Sequence, residues 1–157
     1  MTVTRGLPLF HETVRPEWID YNGHMSEAFY VLVFGFATDT LMERTGMDSG
    51  YRESTRCSLY TVESHIRYLS EVHVGKHVAI RTRALGRTAK RIHFMHFMTI
   101  EETGALAAVQ EHVAAHIDMT VRRMVALPPE IAERFDRLVE EHGRLGWDAP
   151  VCGAMRP

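Results

Sequence analysis

The strongest constraint on the fold is a predicted helix that has no polar face. From residue 27 to residue 44, Ala, Phe, Leu and Met recur at helical intervals, with Ser26 as the predicted N-cap and Gly46 as the predicted end. The middle of this segment, FYVLVFGF at residues 29–36, is apolar on every side. A helix of this kind is typical of one enclosed by other structure. The sequence therefore predicts a central helix that the rest of the protein covers.

Most of the remaining chain is typical of an antiparallel sheet. Residues 57–69 alternate with a period of two, as a strand does. Pro16 places the first strand near an edge or an end. Short turns between the later strands favour antiparallel pairing. The predicted strands are residues 10–19, 57–69, 77–85, 91–100 and 105–120.

A last helix is predicted after the strands. It begins near Pro129, ends at Gly143 and has one apolar face. The residues of that face are Ile131, Phe135, Leu138 and Val139. The predicted fold class is α+β, with a five-stranded antiparallel sheet wrapped around a central helix and a C-terminal surface helix. We expect a single domain over residues 1–143, with a polar connection at residues 47–55 and an irregular tail at residues 144–157.

The predicted sheet is too small to enclose the apolar helix alone. Strands from one chain cover only part of such a helix, and the outer strands leave exposed edges. Two sheets joined edge to edge would remove those edges. We therefore expect a homodimer or homotetramer in which the loop of one subunit meets a strand of its partner.

The overall composition excludes several classes of protein. A formal net charge of −2 argues against nucleic-acid binding through global charge. The longest apolar run, residues 28–37, is too short to span a membrane, and residues 1–10 lack the apolar core of a signal peptide. Cys57 and Cys152 are far apart and form no CxxC pair, which favours free thiols. We therefore expect a cytoplasmic protein with no nucleic-acid or membrane partner.

The predicted chemistry lies in the loop that leads into the central helix. Asp20, Asn22 and His24 alternate along this loop, which Gly23 closes. A carboxylate, an amide and an imidazole can therefore converge beside a helix N-terminus, whose unpaired N–H groups can stabilise an oxyanion. Each residue also has a purely structural interpretation. Asp20 can cap a turn, Asn22-Gly23 is a turn signal, and His24 can be a satisfied structural histidine.

Histidine spacing gives little support for a metal site. The chain has 10 histidines, and the pairs His73/His77 and His112/His116 show i,i+4 spacing. In a helix that spacing would put both rings on one face, but these pairs lie in predicted strands and turns. No cysteine cluster or HExxH motif accompanies them. The sequence predicts no metal and no cofactor.

The chain resembles the hot-dog-fold thioesterases of the 4-hydroxybenzoyl-CoA and acyl-carrier-protein thioesterase superfamily. The likeness covers about residues 10–120 and rests on DYNGHM at residues 20–25, which resembles an Asp-x-Asn-x-His signature. Further support comes from ESHIRYL at residues 63–69 with Val74-Gly75. The resemblance implies acyl-CoA hydrolysis with Asp20, Asn22, His24 and Glu63 around the thioester. Ser26 and Glu27 stand where the acyl-carrier-protein branch usually has two asparagines, so Glu27 offers a further carboxylate.

Within this superfamily, residues 18–27 (WIDYNGHMSE) resemble the thioesterases of carnitine breakdown, which cleave betainyl-CoA. This likeness implies recognition of a quaternary ammonium group. Aromatic faces attract such groups, and a carboxylate adds a counter-charge. The same aromatic residues would also line an ordinary acyl or aryl pocket. The predicted substrate-binding residues are Trp18, Tyr21, Glu27, Tyr30 and Tyr60.

Two further predictions keep an alternative interpretation. Glu63 lies mid-strand, where it is either a paired acid/base group or part of a solvated face. Arg87, Lys90 and Arg91 form a basic hairpin that suits the phosphates of CoA, although a charged solvent-facing turn is equally typical.

The predicted reaction is hydrolysis of a small acyl-CoA. Asp20 would act as general base toward water, or as a nucleophile that forms a mixed anhydride. Asn22 would position the water or the carboxylate, and His24 would orient the substrate or the loop. Two alternatives remain on the same fold: an acyl-thioester hydratase or dehydratase, and a non-catalytic acyl-CoA-binding protein.

Overall fold

The computed structural model describes residues 7–157, and its helices and strands follow an α+β order. In chain order they are β1 (Leu9–Thr13), a 3-10 turn (Pro16–Trp18), α1 (Glu27–Thr45), α2 (Ser49–Thr55), β2 (Cys57–Tyr68), β3 (His77–Arg87), β4 (Arg91–Ile100), β5 (Leu106–Asp118), β6 (Arg123–Met124) and α3 (Pro129–Gly143). The strands are ordered β1-β3-β4-β5-β2, and β6 pairs with β5. No helix in the described range is long and apolar enough to cross a membrane.

The sheet is antiparallel, as predicted. β1 pairs with β3 in a register that sets Phe10 opposite Ile80. Turns of a few residues join β3 to β4 and β4 to β5, and such short connections are possible only between antiparallel neighbours.

The described chain forms two compact units. The first comprises residues up to Thr40, Ile66–Thr82 and His96–Gln110. Its apolar core brings α1 residues such as Val33 and Phe34 against strand residues such as Ile80 and Met98. Both α1 side chains are fully buried because this stripe of the helix lies on the strands.

The second unit comprises Leu41–His65, Arg83–Met95 and Glu111–Pro157. In its core, Phe94 of β4 packs with Ile131 and Phe135 of α3, which are buried, and the rest of the predicted apolar face of α3 is partly buried. Residues after Gly143 form no helix or strand, yet they pack on this unit. The Arg83 guanidinium lies 4.3 Å from the centre of the Trp147 ring, and Met155 is buried.

The predicted enclosure of α1 is only partly confirmed. Val31 is 46% exposed and Leu32 is 41% exposed, although both are apolar. Within the described range, the chain therefore covers this face of the helix only in part. Apolar residues on all sides of the helix predicted its burial. They could not show how much of that burial a single chain provides.

Three local predictions are wrong. The polar connection at residues 47–55 contains α2, whose N-cap Asp48 accepts a hydrogen bond from the Tyr51 N–H at 2.8 Å. The first strand is shorter than predicted, because the chain turns into a 3-10 helix at Pro16. The sheet has a sixth strand, the two-residue β6, which was too short to show a period.

Candidate functional site

The first unit contains a cavity of about 650 Å³ beside the N-terminus of α1. Three stretches of chain build it: the loop before α1, the first turn of α1, and the end of β2 with the residues that follow. The lining residues are Asp20, Tyr21, Asn22, His24, Met25, Ser26, Glu27, Tyr30, Tyr68, Leu69, Ser70 and Glu71.

The loop before α1 folds as a tight turn that orients Asp20. Ile19 and Met25 form an antiparallel bridge, and the Gly23 N–H donates to the Asp20 carbonyl at 3.0 Å. Gly23 adopts φ +81°, a conformation that favours glycine. The Asn22 N–H donates to Asp20 Oδ1 at 2.8 Å. Within residues 7–157, Asp20 Oδ2 has no hydrogen-bond partner, so one carboxylate oxygen is free to act on a ligand.

The segment after β2 holds this loop in place. The Met25 N–H donates to the carbonyl of Val72 at 2.8 Å, and Val72 is fully buried. The His73 Nδ1 atom lies 3.3 Å from the carbonyl oxygen of Gly23. The loop is therefore fixed at its glycine and at its last residue, which supports a preorganised Asp20 carboxylate.

Glu71 lies between two imidazoles at the edge of the cavity. Its carboxylate oxygens lie 3.8 Å from His24 Nε2 and 3.7 Å from His73 Nε2. The His24 Nδ1 atom lies 3.2 Å from the Met25 carbonyl oxygen. Because the Glu71 side chain is 64% exposed, these contacts contribute little to stability.

Two tyrosines form an aromatic wall of the cavity. The rings of Tyr30 and Tyr68 meet edge to face, with centroids 5.1 Å apart. The Tyr30 hydroxyl donates to the Ser70 carbonyl at 3.3 Å, and the Tyr68 hydroxyl donates to the Glu27 carbonyl at 3.4 Å. Burial raises the pKa of Tyr30. Burial, then the Glu27 carboxylate, raises the pKa of Tyr68, so both phenols are neutral at pH 7.

The first turn of α1 faces the same cavity. Ser26 precedes the helix, and its carbonyl accepts the Phe29 N–H at 3.0 Å. Ser26 and Glu27 both line the cavity. The first N–H groups of a helix have no partner within it and carry partial positive charge. Because Ser26 occupies the Phe29 N–H, the N–H groups of Glu27 and Ala28 are those available to an oxygen that becomes negative during a reaction.

Trp18 and Tyr21 are the other two aromatic residues of this unit that were predicted to bind substrate. Their surroundings differ. Trp18 is buried in the core, where it stacks on Phe29 at 5.7 Å with Arg15 over its ring. Its role in substrate binding stays a prediction, and its position shows a role in supporting α1. Tyr21 lines the cavity, but its side chain is 97% exposed.

The remaining predicted site residues belong to the second unit. Tyr60 and Glu63 are exposed on β2. Arg87 makes two hydrogen bonds to Asp136, at 2.7 and 2.6 Å. Lys90 and Arg91 line a smaller cavity of about 350 Å³, together with Thr88, Ala89, Met124 and Pro157. The roles predicted for these residues in catalysis and CoA binding stay predictions.

Sequence reasoning did not select Ser70 or Glu71 as site residues. They line the cavity because β2 ends beside the α1 N-terminus. Their only sequence signal was their position directly after the strand motif at residues 63–69. The pairing that brings this strand end to the loop is not visible in the sequence.

The chain is similar to a known protein family and to several proteins of known function. A sequence profile described as the thioesterase-like superfamily matches residues 14–135. A betainyl-CoA thioesterase of Pseudomonas aeruginosa is 39% identical over 139 residues, which cover 88% of this chain and 87% of that protein. An L-carnitine dehydrogenase/betainyl-CoA thioesterase of Agrobacterium fabrum is 41% identical over 140 residues, which cover 88% of this chain but only 28% of that longer protein.

A solved structure shows the same arrangement of helices and strands. It is a hypothetical protein from Staphylococcus aureus in complex with CoA, with a TM-score of 0.84 and 27% sequence identity. The match covers 91% of this chain and 90% of that one.

Proposed function

The chain belongs to the thioesterase-like superfamily, as a thioester hydrolase with an α+β hot-dog fold, and we propose that it hydrolyses betainyl-CoA to glycine betaine and CoA. The observation that carries this proposal is the position of Asp20. Its carboxylate lines the cavity, one oxygen is held by the Asn22 N–H, and the other is free within the described residues.

In the proposed reaction, Asp20 acts as general base. Its free oxygen takes a proton from water while the water oxygen adds to the thioester carbonyl. The N–H groups at the start of α1 stabilise the oxyanion that forms. When the tetrahedral intermediate collapses, the C–S bond breaks, and the leaving thiolate takes the proton from Asp20. The carboxylate is thereby regenerated, and no co-reactant other than water is consumed.

An isotope experiment separates this route from attack by Asp20 followed by hydrolysis at the aspartyl carbonyl. In a single turnover in H₂¹⁸O, general-base catalysis puts ¹⁸O directly into the acid product. A mixed anhydride hydrolysed at its aspartyl carbonyl would instead leave ¹⁸O on Asp20 and give an unlabelled first product. We expect labelled product and an unlabelled protein. Mass spectrometry of both species after one turnover measures the difference.

The acyl preference is proposed to come from the aromatic wall. Tyr30 and Tyr68 are neutral, electron-rich rings, and Glu27 and Glu71 add negative charge to the same cavity. A quaternary ammonium group is attracted by both features, with about 0.5–2 kcal/mol from each ring contact. The name of the Pseudomonas aeruginosa relative supports the same acyl group.

A matched pair of substrates tests this acyl preference. The 3,3-dimethylbutanoyl group has the shape of the betainyl group but carries carbon in place of nitrogen, and therefore no charge. We expect kcat/KM to favour betainyl-CoA, and Tyr68→Leu to reduce that preference by about 2–30-fold. Equal rates on the two substrates in the unsubstituted enzyme would contradict recognition of the charge. Release of free CoA also excludes a hydratase, which would keep the thioester intact, and a non-catalytic binder.

Lys90 and Arg91 are the stronger candidates for contact with the CoA phosphates. Arg87 already has a bidentate carboxylate partner in Asp136, whereas Lys90 is exposed. A similar solved structure contains CoA, which supports binding of this ligand. We expect Lys90→Ala to raise KM for acyl-CoA but not for the acyl-pantetheine that lacks the nucleotide phosphates. An equal increase for both substrates would remove Lys90 from the phosphate site.

We further propose that the protein acts as a homodimer or a homotetramer in the cytoplasm. β2 is at the end of the strand order, and it exposes Tyr60 and Val62. Long exposed edge strands favour pairing with another chain. Both cysteines are free thiols, as in proteins of a reducing compartment.

A further inference from the structure

A cluster of metal-ligating side chains lies in the second unit, which does not contain Asp20. His65 of β2, Glu111 of β5 and Cys152 of the C-terminal tail each offer one ligand atom. These three atoms lie within 4.8 Å of one another. The residues come from three separate segments, and strand pairing brings the first two together because β2 and β5 are neighbours in the sheet.

The carboxylate at the centre of this cluster is buried and held in place. Glu111 is only 1% exposed. Its Oε1 lies 2.7 Å from His93 Nε2, and its Oε2 accepts the Cys152 N–H at 2.7 Å. Burial raises the pKa of Glu111, but hydrogen bonds from Cys152 and His93 outweigh it and leave the pKa below its usual value. The cluster thus contains a buried carboxylate that is already oriented.

We propose that His65, Glu111 and Cys152 bind a zinc ion, with His93 as the residue that positions the Glu111 carboxylate. An imidazole, a carboxylate and a thiolate are the ligand types that zinc prefers, whereas calcium and magnesium take oxygen ligands. Ligands around a tetrahedral zinc lie about 3.5 Å apart, so a contraction of about 1 Å would complete the site.

The two outer ligands allow this contraction. His65 and Cys152 are exposed, so their side chains can move and the ion can reach them from solvent. His65 lies three residues from Val62 on β2 and therefore on the opposite face of the strand. Its side chain thus points away from the face that carries Val62. On binding, the Cys152 thiol gives its proton to the solvent, and water completes the fourth coordination position.

Cobalt binding to the untagged full chain tests the proposal directly. After treatment with EDTA and dialysis, we expect about one Co²⁺ per chain, with a near-ultraviolet thiolate-to-metal band that one equivalent of Zn²⁺ removes. Cys152→Ser should abolish the band. The matched control is Cys57→Ser, which removes the other cysteine and should leave the band unchanged. No stoichiometric binding, or a band that depends on Cys57, would overturn the proposal.

Substitution of the two histidines should weaken zinc binding to different extents. His65→Gln should weaken Zn²⁺ binding at least about 10-fold, and His93→Gln should weaken it about 10- to 100-fold, as loss of an outer-sphere partner does. Exposed His77 provides the control, because His77→Gln should bind zinc like the unsubstituted chain. Zinc should also raise Tm by at least about 3 °C in the unsubstituted chain and not in Cys152→Ser. An equal rise in both proteins would show binding elsewhere and contradict the assignment.

Discussion

At the scale of single residues, the site depends on a short, contiguous stretch. Asp20, Asn22 and His24 all line the cavity, and the turn closed by Gly23 sets their spacing. Because these residues are neighbours in the chain, the sequence alone was sufficient to bring them together. Tyr68, Ser70 and Glu71 complete the same cavity from a distant stretch. Only strand pairing shows the role of Ser70 and Glu71.

The role of Asp20 has a simple test. Asp20→Asn keeps the shape of the side chain but removes the base, so kcat should fall by about 10²- to 10⁴-fold with little change in the folded structure. Thiol release from acyl-CoA measures the rate. Asp39→Asn, at an exposed position of α1, is the matched control and should keep full activity. Full activity in Asp20→Asn would remove this residue from catalysis.

A buried histidine should make stability depend on pH. His112 stacks on Phe94 with ring centroids 5.0 Å apart, and burial lowers its pKa to about 4. Because the unfolded chain takes up the proton at about pH 6.5, stability is lost as the pH falls from 6.5 toward 4. At pH 4.5 this loss is about 2 to 3 kcal/mol.

Urea unfolding at pH 7.5 and pH 4.5 measures the effect. His112→Phe keeps an aromatic ring against Phe94 but cannot titrate. The acid loss should therefore be smaller in this variant by about 2 kcal/mol. Burial also lowers the pKa of His116 and His142, so some acid sensitivity should remain. An identical loss in both proteins would mean that His112 is not the group responsible.

At the scale of elements, the sequence predicted the long helices and strands well and the short ones poorly. The long strands and α3 have clear periods, and the structure confirms them. α2 was missed because Gly50 suggested a loop, although Asp48 provides a capping side chain. The register that sets His65 beside Glu111 has no sequence signal, because the two residues lie far apart in the chain.

The contribution of the Asp48 N-cap to stability can be measured by substitution. Its side chain accepts the Tyr51 N–H, so Asp48→Ala should lower the free energy of unfolding by about 1 kcal/mol. Asp48→Ser keeps a capping oxygen and should lose much less. Chemical denaturation of the three proteins provides the comparison. Equal stability of the Ala and Ser variants would show that the cap does not stabilise the protein.

At the scale of the whole molecule, the proposed homodimer would cover apolar residues that one chain leaves exposed. Val31 and Leu32 of α1 and Val62 of β2 are all exposed. A stable interface buries about 800 Å² from each partner. The sequence predicted an edge-to-edge pairing of two sheets, and this pairing stays a prediction.

A charge at the strand edge tests the assembly. Val62→Lys places a charged group where a partner strand would pack, so the molar mass measured by light scattering should fall toward that of one chain. Val121 is equally exposed but lies in the turn after β5, so Val121→Lys is the matched control and should keep the oligomer. An unchanged mass in Val62→Lys would rule out β2 as the joining edge.

The nearly complete exposure of Tyr21 has a practical consequence. Its ring lines the cavity and is exposed to solvent. A molecule bound there would therefore shield the ring from reagents in solution. Chemical nitration of this one phenol should therefore slow when a substrate analogue occupies the rim, while Tyr30, buried deeper in the wall, should react slowly throughout. The protein thus carries its own reporter of occupancy, which requires no attached dye.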